Sequence, residues 1–404
     1  MIDFARRYAP SPPTRRLFLF MGFVWAAIVG PISSVLIISS LGATSQQIGI
    51  FSAICAVISM VLQPLWGFLS DMNGSPRRVL CMCLGAATLF YGCVMLSDSL
   101  YIVAGLLFLE IAFRCCVIPL LDSHTLSEVN TIPGLQYSFV RMGASFFFGS
   151  LSLIYGGIIS AGGAKAVIPV SLCIAAAAVL WGLFIAKGQW ETKPNNDGVR
   201  ARRPELKKDA ALLLKNKRYI VFLVLVALWA LANMPLYTFI IDYVKAVGGN
   251  SGQVPVIHAL RCVAELPFFV FAGTVGRRME SKKLMLSGMV FSLLHMIGLL
   301  LSNTFFWLCV SHFLAGPGFI LGLTGRMRYV SEIAPESVRS TSIALMGACE
   351  IGLGSIIGNL IVGYVSGTYG TQAVSVVAII AILSAMAMLI LCVNRQPHRQ
   401  ARTH

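Results

Sequence analysis

The sequence predicts an all-α membrane protein with twelve transmembrane helices in two six-helix bundles. Three observations predict it. The 404 residues are 57% hydrophobic and only 12% charged, where a water-soluble domain carries about 25% charged residues. Apolar stretches of about 20 residues, the length that crosses a bilayer core, recur twelve times. The only long polar stretch falls in the middle. A mean hydropathy of +0.81 puts more apolar surface on the chain than a water-soluble core can hide. The short loops leave no room for a catalytic domain, and no cofactor or metal is expected.

The apolar stretches lie near 17–40, 46–70, 79–97, 100–121, 137–160 and 166–187, then 218–243, 253–274, 284–301, 304–325, 339–365 and 372–393. The first reads as a span rather than a cleaved signal. It is too long, lacks a small-residue cleavage site, and eleven more follow. The expected units are residues 1–187, a basic linker at 188–217, and residues 218–404.

Charge sets the orientation. Of 31 Lys and Arg residues, 26 fall at the amino terminus, in even-numbered loops, in the centre or in the carboxyl tail. Lys165 and Lys245 lie on the other side, while Arg114, Arg141 and Arg261 lie in or beside spans. The positive-inside rule then expects both termini and the central loop in the cytoplasm, with the chain multi-pass in the cytoplasmic (inner or plasma) membrane. The net charge of +15 is therefore a topology signal. No basic domain with interleaved aromatics suggests nucleic acid. The eleven cysteines sit in or near apolar spans without a C-x-x-C pair, so neither a disulfide framework nor a zinc site is expected. The expected partners are a small-molecule solute, a proton and lipid, and the chain is expected to work as a monomer.

After the second span comes Gly67-Phe-Leu-Ser-Asp71-Met-Asn-Gly74-Ser-Pro-Arg77-Arg78. This is a helix end, a carboxylate, a glycine turn and two cations. The carboxylate can cap a neighbouring helix's amino terminus or pair with the arginines of its loop, and such contacts can break and re-form as bundles rock. The plain alternative is a polar turn obeying the positive-inside rule. In context the segment resembles the G-x-L-A-D-x-x-G-R-[KR] signature of the major facilitator superfamily, with Ser70 where Ala is common and Pro76 before the arginine pair. Gly273-Thr-Val-Gly276-Arg277-Arg278 looks like its second-half copy without the aspartate. The resemblance implies the major facilitator fold, and a gating role for Gly67, Asp71, Gly74, Arg77 and Arg78.

Other segments are similar to the lactose permease and phenylpropionate transporter branch. Tyr137-Ser-Phe-Val-Arg141-Met-Gly-Ala-Ser145 looks like its helix 5. Asp122 stands near the place of that branch's helix 4 carboxylate, Glu265 matches its helix 8 glutamate, and His312 matches its helix 10 histidine. The resemblance implies solute binding and proton coupling at Glu265. Ala315 stands where that branch has its proton-carrying helix 10 carboxylate, and the helix 9 arginine is replaced by an apolar region with His295 close by. The permease proton site therefore does not carry over whole.

A charge near the bilayer centre costs at least about 2.5–3.5 kcal/mol, so each deep charge calls for a partner or a watery cavity. Glu110 and Arg114 are spaced i,i+4 and share a helix face. His258, Arg261 and Glu265 form one polar stripe. The expected solute-binding residues are Glu110, Arg114, Asp122, Arg141, Arg261 and Glu265; the alternative is that the i,i+4 pairs only lock helix packing. Glu350 has no basic residue within one turn and is expected to take up and release a proton. Glu265, Glu350, His312 and His258 are thus the proton-coupling candidates. Lone histidines such as His295 and His312 can equally satisfy themselves on backbone carbonyls. Trp25, Trp229 and Tyr237 could stack on a ring or simply pack.

Gly30-Pro31, Pro235 and Gly316-Pro317-Gly318 are expected to bend helices 1, 7 and 10, as ordinary kinks or as hinges around a central site. The function expected is a secondary active transporter of a sugar, nucleoside or aromatic acid, working by alternating access and proton symport. The alternative is a proton-driven exporter. An enzyme is not expected, because no metal cluster, nucleophile elbow or phosphate loop is present.

Overall fold

The computed structural model describes residues 12–73, 75–129, 132, 135, 137–185, 213, 215–334 and 339–393. Their regular structure is entirely helical. In chain order come α1 (Pro12–Ala27), α2 (Val29–Ile32), α3 (Ser34–Ser40), α4 (Ser45–Asn73), α5 (Pro76–Cys93), α6 (Leu100–Arg114), α7 (Val117–Val129), α8 (Tyr137–Gly162) and α9 (Ile168–Leu180). After the central stretch, most of which lies outside the described residues, follow α10 (Lys217–Ala246), α11 (Gln253–Gly273), α12 (Ser281–Leu301), α13 (Phe305–Phe313), α14 (Ala315–Ile333), α15 (Arg339–Gly347) and α16 (Ser355–Met388).

Among the described residues, ten helices are long and apolar enough to cross a membrane, against twelve stretches expected. Two places account for the difference. The first stretch is divided around Gly30-Pro31 into α1, α2 and α3, none reaching 18 residues. Ser33 bridges the break, with its N–H on the Gly30 carbonyl at 2.8 Å. At the other end, Leu345–Leu391 runs as one 47-residue helical segment. A straight helix of that length would be roughly 70 Å long, about twice a bilayer core. It turns at Gly370, whose φ of 78° is left-handed and favours glycine.

The proline expectations divide. Pro235 sits inside α10 without ending it. In the tenth stretch the break falls at Leu314, between α13 and α14. Pro317 then lies in the first turn of α14, where its missing N–H costs nothing.

Large apolar side chains cover the helix exteriors: Leu89 is 65% exposed, Tyr101 80% and Ile380 60%. In water this would be a continuous aggregation surface; against lipid tails it is the expected outer face. Residue contacts group the chain into two compact units, each drawing on both sequence halves. One comprises 1–44, 57–200 and 249–269; the other comprises 45–56, 201–248 and 270–404. The first unit has a core around Phe20, Leu80, Leu84, Val117, Leu121 and Ala144. In the second, α10 packs on α16 and α12 on α14. The α12–α14 contact is close enough that a Cβ on Gly288 would lie 2.4 Å from the Gly322 nitrogen.

Candidate functional site

In the first unit, Glu110 is 1% exposed on α6 and pairs with Arg114 one turn later. The spacing that put them on one face also makes them partners. Asp122 on α7 accepts a hydrogen bond from the Tyr137 hydroxyl at 2.7 Å. Arg141 on α8 lies with its guanidinium 4.2 Å from the centre of the Trp25 ring, within cation–π range. Trp25 was expected to stack on a solute or to pack; it stacks on Arg141.

Glu265 is 6% exposed on α11. One carboxylate oxygen lies 3.1 Å from Arg261 Nε, and the other accepts from the Ser145 hydroxyl at 3.0 Å. The serine ends the helix 5 segment singled out from the sequence, yet its pairing with Glu265 was not foreseen. Contacts place α11 up to Phe269 in the same unit as α8. His258 is half-buried one turn before Arg261.

In the gate segment the first arginine has backbone partners. Arg77 is 3% exposed. It donates to the carbonyl of Gly182, and to that of Leu183 at 3.1 Å. Those carbonyls belong to a π-helical turn, Trp181–Ile185, so the cation is held by backbone oxygens of that turn. Arg78 is exposed, and Gly67 lies on α4. The side chain of Asp71 and all of Gly74 lie outside the described residues. In the second unit Arg328 donates to the Gly276 carbonyl at 2.7 Å. The second-half copy of the motif is thus also held by an arginine on a backbone carbonyl, supplied from another helix.

Glu350 requires a correction. The sequence offers it no cation within a turn, but Arg326 Nη2 lies 2.9 Å from its carboxylate. Arg326 lies just beyond the 304–325 stretch and so counted among the cations between spans. It is instead 1% exposed inside α14, with its guanidinium 3.6 Å from the Trp229 ring centre. Glu350 itself lies in a π-helical segment, Ala348–Gly354, a distortion frequent at functional sites.

His312 also has a specific partner: its Nδ1 lies 3.0 Å from His295 Nε2, with both rings buried. The pair walls a small cavity with Trp229, Asn233, Tyr237 and Phe319. At the end of α10, Asp242 accepts from Ser45 at 2.9 Å and Ser366 at 2.6 Å.

Apolar helices with exposed outer faces and buried ion pairs define a multi-pass membrane protein. The chain belongs to the MFS_1 like family, whose model matches residues 15–389. It is 23% identical over 355 residues to the uncharacterized transporter YwbF of Bacillus subtilis (strain 168), covering 86% of this chain and 85% of that protein. It is 25% identical over 354 residues to the maltose permease of Geobacillus stearothermophilus, covering 86% of each. It is 25% identical over 354 residues to the putative nucleoside transporter YegT of Escherichia coli (strain K12), covering 83% of this chain and 80% of that protein. Among solved structures, a point mutant of the nucleoside transporter NupG superposes with a TM-score of 0.77 at 15% identity, covering 93% of this chain and 97% of that one. That likeness is one of fold.

Proposed function

We propose that this chain is a proton symporter moving a small polar organic solute across the cytoplasmic membrane by alternating access. The observation that carries the reading is Glu265: a buried carboxylate on an apolar helix, held by both Arg261 and Ser145. Ionisable groups at such depth mark solute or proton pathways. A carboxylate with two polar partners can exchange one for a solute hydroxyl or a proton without becoming an orphan. Glu110, Arg114, Asp122 and Arg141 complete the solute-binding set with Arg261, while Glu350, His312 and His258 are the further proton-coupling candidates. Gly67, Asp71, Gly74, Arg77 and Arg78 gate. The first stretch and the 345–391 segment each supply the crossing needed for twelve spans, six per sequence half, with both termini cytoplasmic and the monomer as the working unit.

The maltose permease and the putative nucleoside transporter among the relatives support a sugar or nucleoside as solute. The test is uptake of labelled maltose and uridine into proteoliposomes under an inward proton gradient. Symport requires accumulation that collapses when a protonophore dissipates the gradient. Solute movement driven only against the proton flow would instead establish an exporter.

A further inference from the structure

We propose that Gly322, Arg326 and Trp229 form a binding site for a neutral carbonyl oxygen of the transported solute, which favours a nucleoside base over a plain sugar or a free carboxylate. The inference rests on the transport reading above and narrows its solute.

Three observations within the second unit meet here. Trp229 Nε1 is buried without a hydrogen-bond partner, and Trp229 and Arg326 are each 1% exposed. Buried donors are normally satisfied, and an exception calls for an explanation. Second, a Cβ on Gly322 would meet two atoms within 4 Å, its own helix backbone and chain neighbours aside: Arg326 Nη1 at 3.0 Å and Trp229 Nε1 at 3.8 Å. The open position beside this glycine therefore faces two nitrogens. Third, Arg326 Nη2 is already engaged by Glu350 at 2.9 Å, so an occupant would approach the other side of the guanidinium and leave the ion pair intact.

The chemistry of those groups selects the occupant. Guanidinium and indole N–H groups only donate, so the occupant must accept. A carbonyl oxygen offers two lone pairs and brings no hydrogen of its own. A hydroxyl brings a hydrogen for which neither nitrogen is an acceptor, and a sugar's ether oxygen is flanked by two carbons that crowd a pair of converging donors. A carboxylate would set a second negative charge beside Arg326, which Glu350 already neutralises, and a net charge buried at this depth is disfavoured. The indole also walls a water-sized cavity with Asn233, Tyr237 and the histidine pair, so a ring entering as that cavity widens during transport would meet an amide and aromatic surface.

The experiment measures binding to the purified full-length protein by titration calorimetry, with uridine (two ring carbonyls), maltose (hydroxyl and ether oxygens) and 3-phenylpropionate (a carboxylate) as probes. Uridine is expected to bind the wild type more tightly than either other probe by roughly tenfold or more. Gly322→Ala places a methyl in the open position. Trp229→Phe keeps a ring under Arg326 and removes the N–H. Each should weaken uridine binding roughly tenfold, with thermal melting used to check folding; if the alanine variant fails to fold, the phenylalanine variant decides. No uridine binding by the wild type, maltose bound as tightly as uridine, or uridine affinity unchanged in a folded variant overturns the site and leaves water as its occupant. Counterflow in proteoliposomes separates the two readings. Maltose counterflow without uridine binding leaves transport standing and removes this site. Uridine binding lost in both variants, but without counterflow, keeps the site and removes transport.

Discussion

Arg326 and Glu350 lie twenty-four residues apart and meet in the interior of the second unit, Nη2 to carboxylate at 2.9 Å, with the guanidinium face on Trp229. The arginine is 1% exposed. Among the described residues its one counter-charge in hydrogen-bond range is on another helical segment, so α14 and the π-helical turn at Ala348–Gly354 are tied by charge as well as by packing. The Trp229 face gives the cation a second, weaker partner.

Removing one member of such a pair leaves the other as a buried charge, at a cost of about 3–5 kcal/mol. Arg326→Met alone and Glu350→Leu alone are each expected to destabilise by that amount in denaturant unfolding in detergent. The double variant, which replaces both by apolar groups, should recover most of the loss. If the two single losses simply add in the double variant, the pair is not coupled.

This pair also marks where sequence reading stops. Glu110–Arg114 and Arg261–Glu265 were legible because i,i+4 spacing is local and a helix makes such residues neighbours. The apolar spans were legible because bilayer thickness imposes their length. Arg326 was not, for two reasons. Its charge lowers the window average just where α14 continues, and a count of loop cations has no means of telling a buried arginine from an exposed one. The isolation of Glu350 within its own turn was the available signal, since a deep carboxylate without a local cation calls for a distant one. Ser145 on Glu265, His295 on His312 and Ser45 on Asp242 have no local spacing to reveal them; only tertiary packing brings them together.

Close helix approach gives a second expectation. A Cβ on Gly288 would sit 2.4 Å from the Gly322 nitrogen and 2.6 Å from its Cα, and backbone cannot swing aside as a side chain can. Gly288→Ala should therefore destabilise by about 1–3 kcal/mol through overpacking. Gly85, also in a helix, has nothing within 4 Å of its would-be Cβ, so Gly85→Ala should be neutral or gain up to about 1 kcal/mol of helix propensity. Equal melting temperatures for the two variants would contradict the α12–α14 contact described above.

Asp242 gathers two hydroxyls on one carboxylate oxygen, from Ser45 at the start of α4 and Ser366 in α16. Interhelical hydrogen bonds in membrane proteins reach at most about 1.7 kcal/mol, while bonds to a charged group lie at about 1.5–3 kcal/mol. The overlap is about 1.5 kcal/mol per bond, so Asp242→Ala, which removes two, is put at a loss of about 3 kcal/mol. Ser45→Ala in the Asp242→Ala background should then add little, because its acceptor is already gone. A full additive loss would mean that Ser45 stabilises α4 through some other partner.

The partners of Glu265 make the transport reading specific enough to fail. Ser145 donates to one carboxylate oxygen and Arg261 lies against the other. Glu265→Gln keeps the size and a carbonyl acceptor for Ser145, but it removes the charge that answers Arg261 and the group able to exchange a proton. Accumulation of solute against a gradient should therefore be abolished, while exchange of labelled for unlabelled solute, which needs no net proton movement, should survive at a reduced rate. Ser145→Ala removes one hydrogen bond and leaves the ion pair. It should lower solute affinity by about fivefold to tenfold, matching the loss of about 1 kcal/mol expected for a single hydrogen bond, with coupling intact. Normal accumulation by Glu265→Gln would remove Glu265 from proton coupling. Loss of exchange together with accumulation would place it in solute binding alone, and the proton would then have to be carried elsewhere, with Glu350 as the next carboxylate to test.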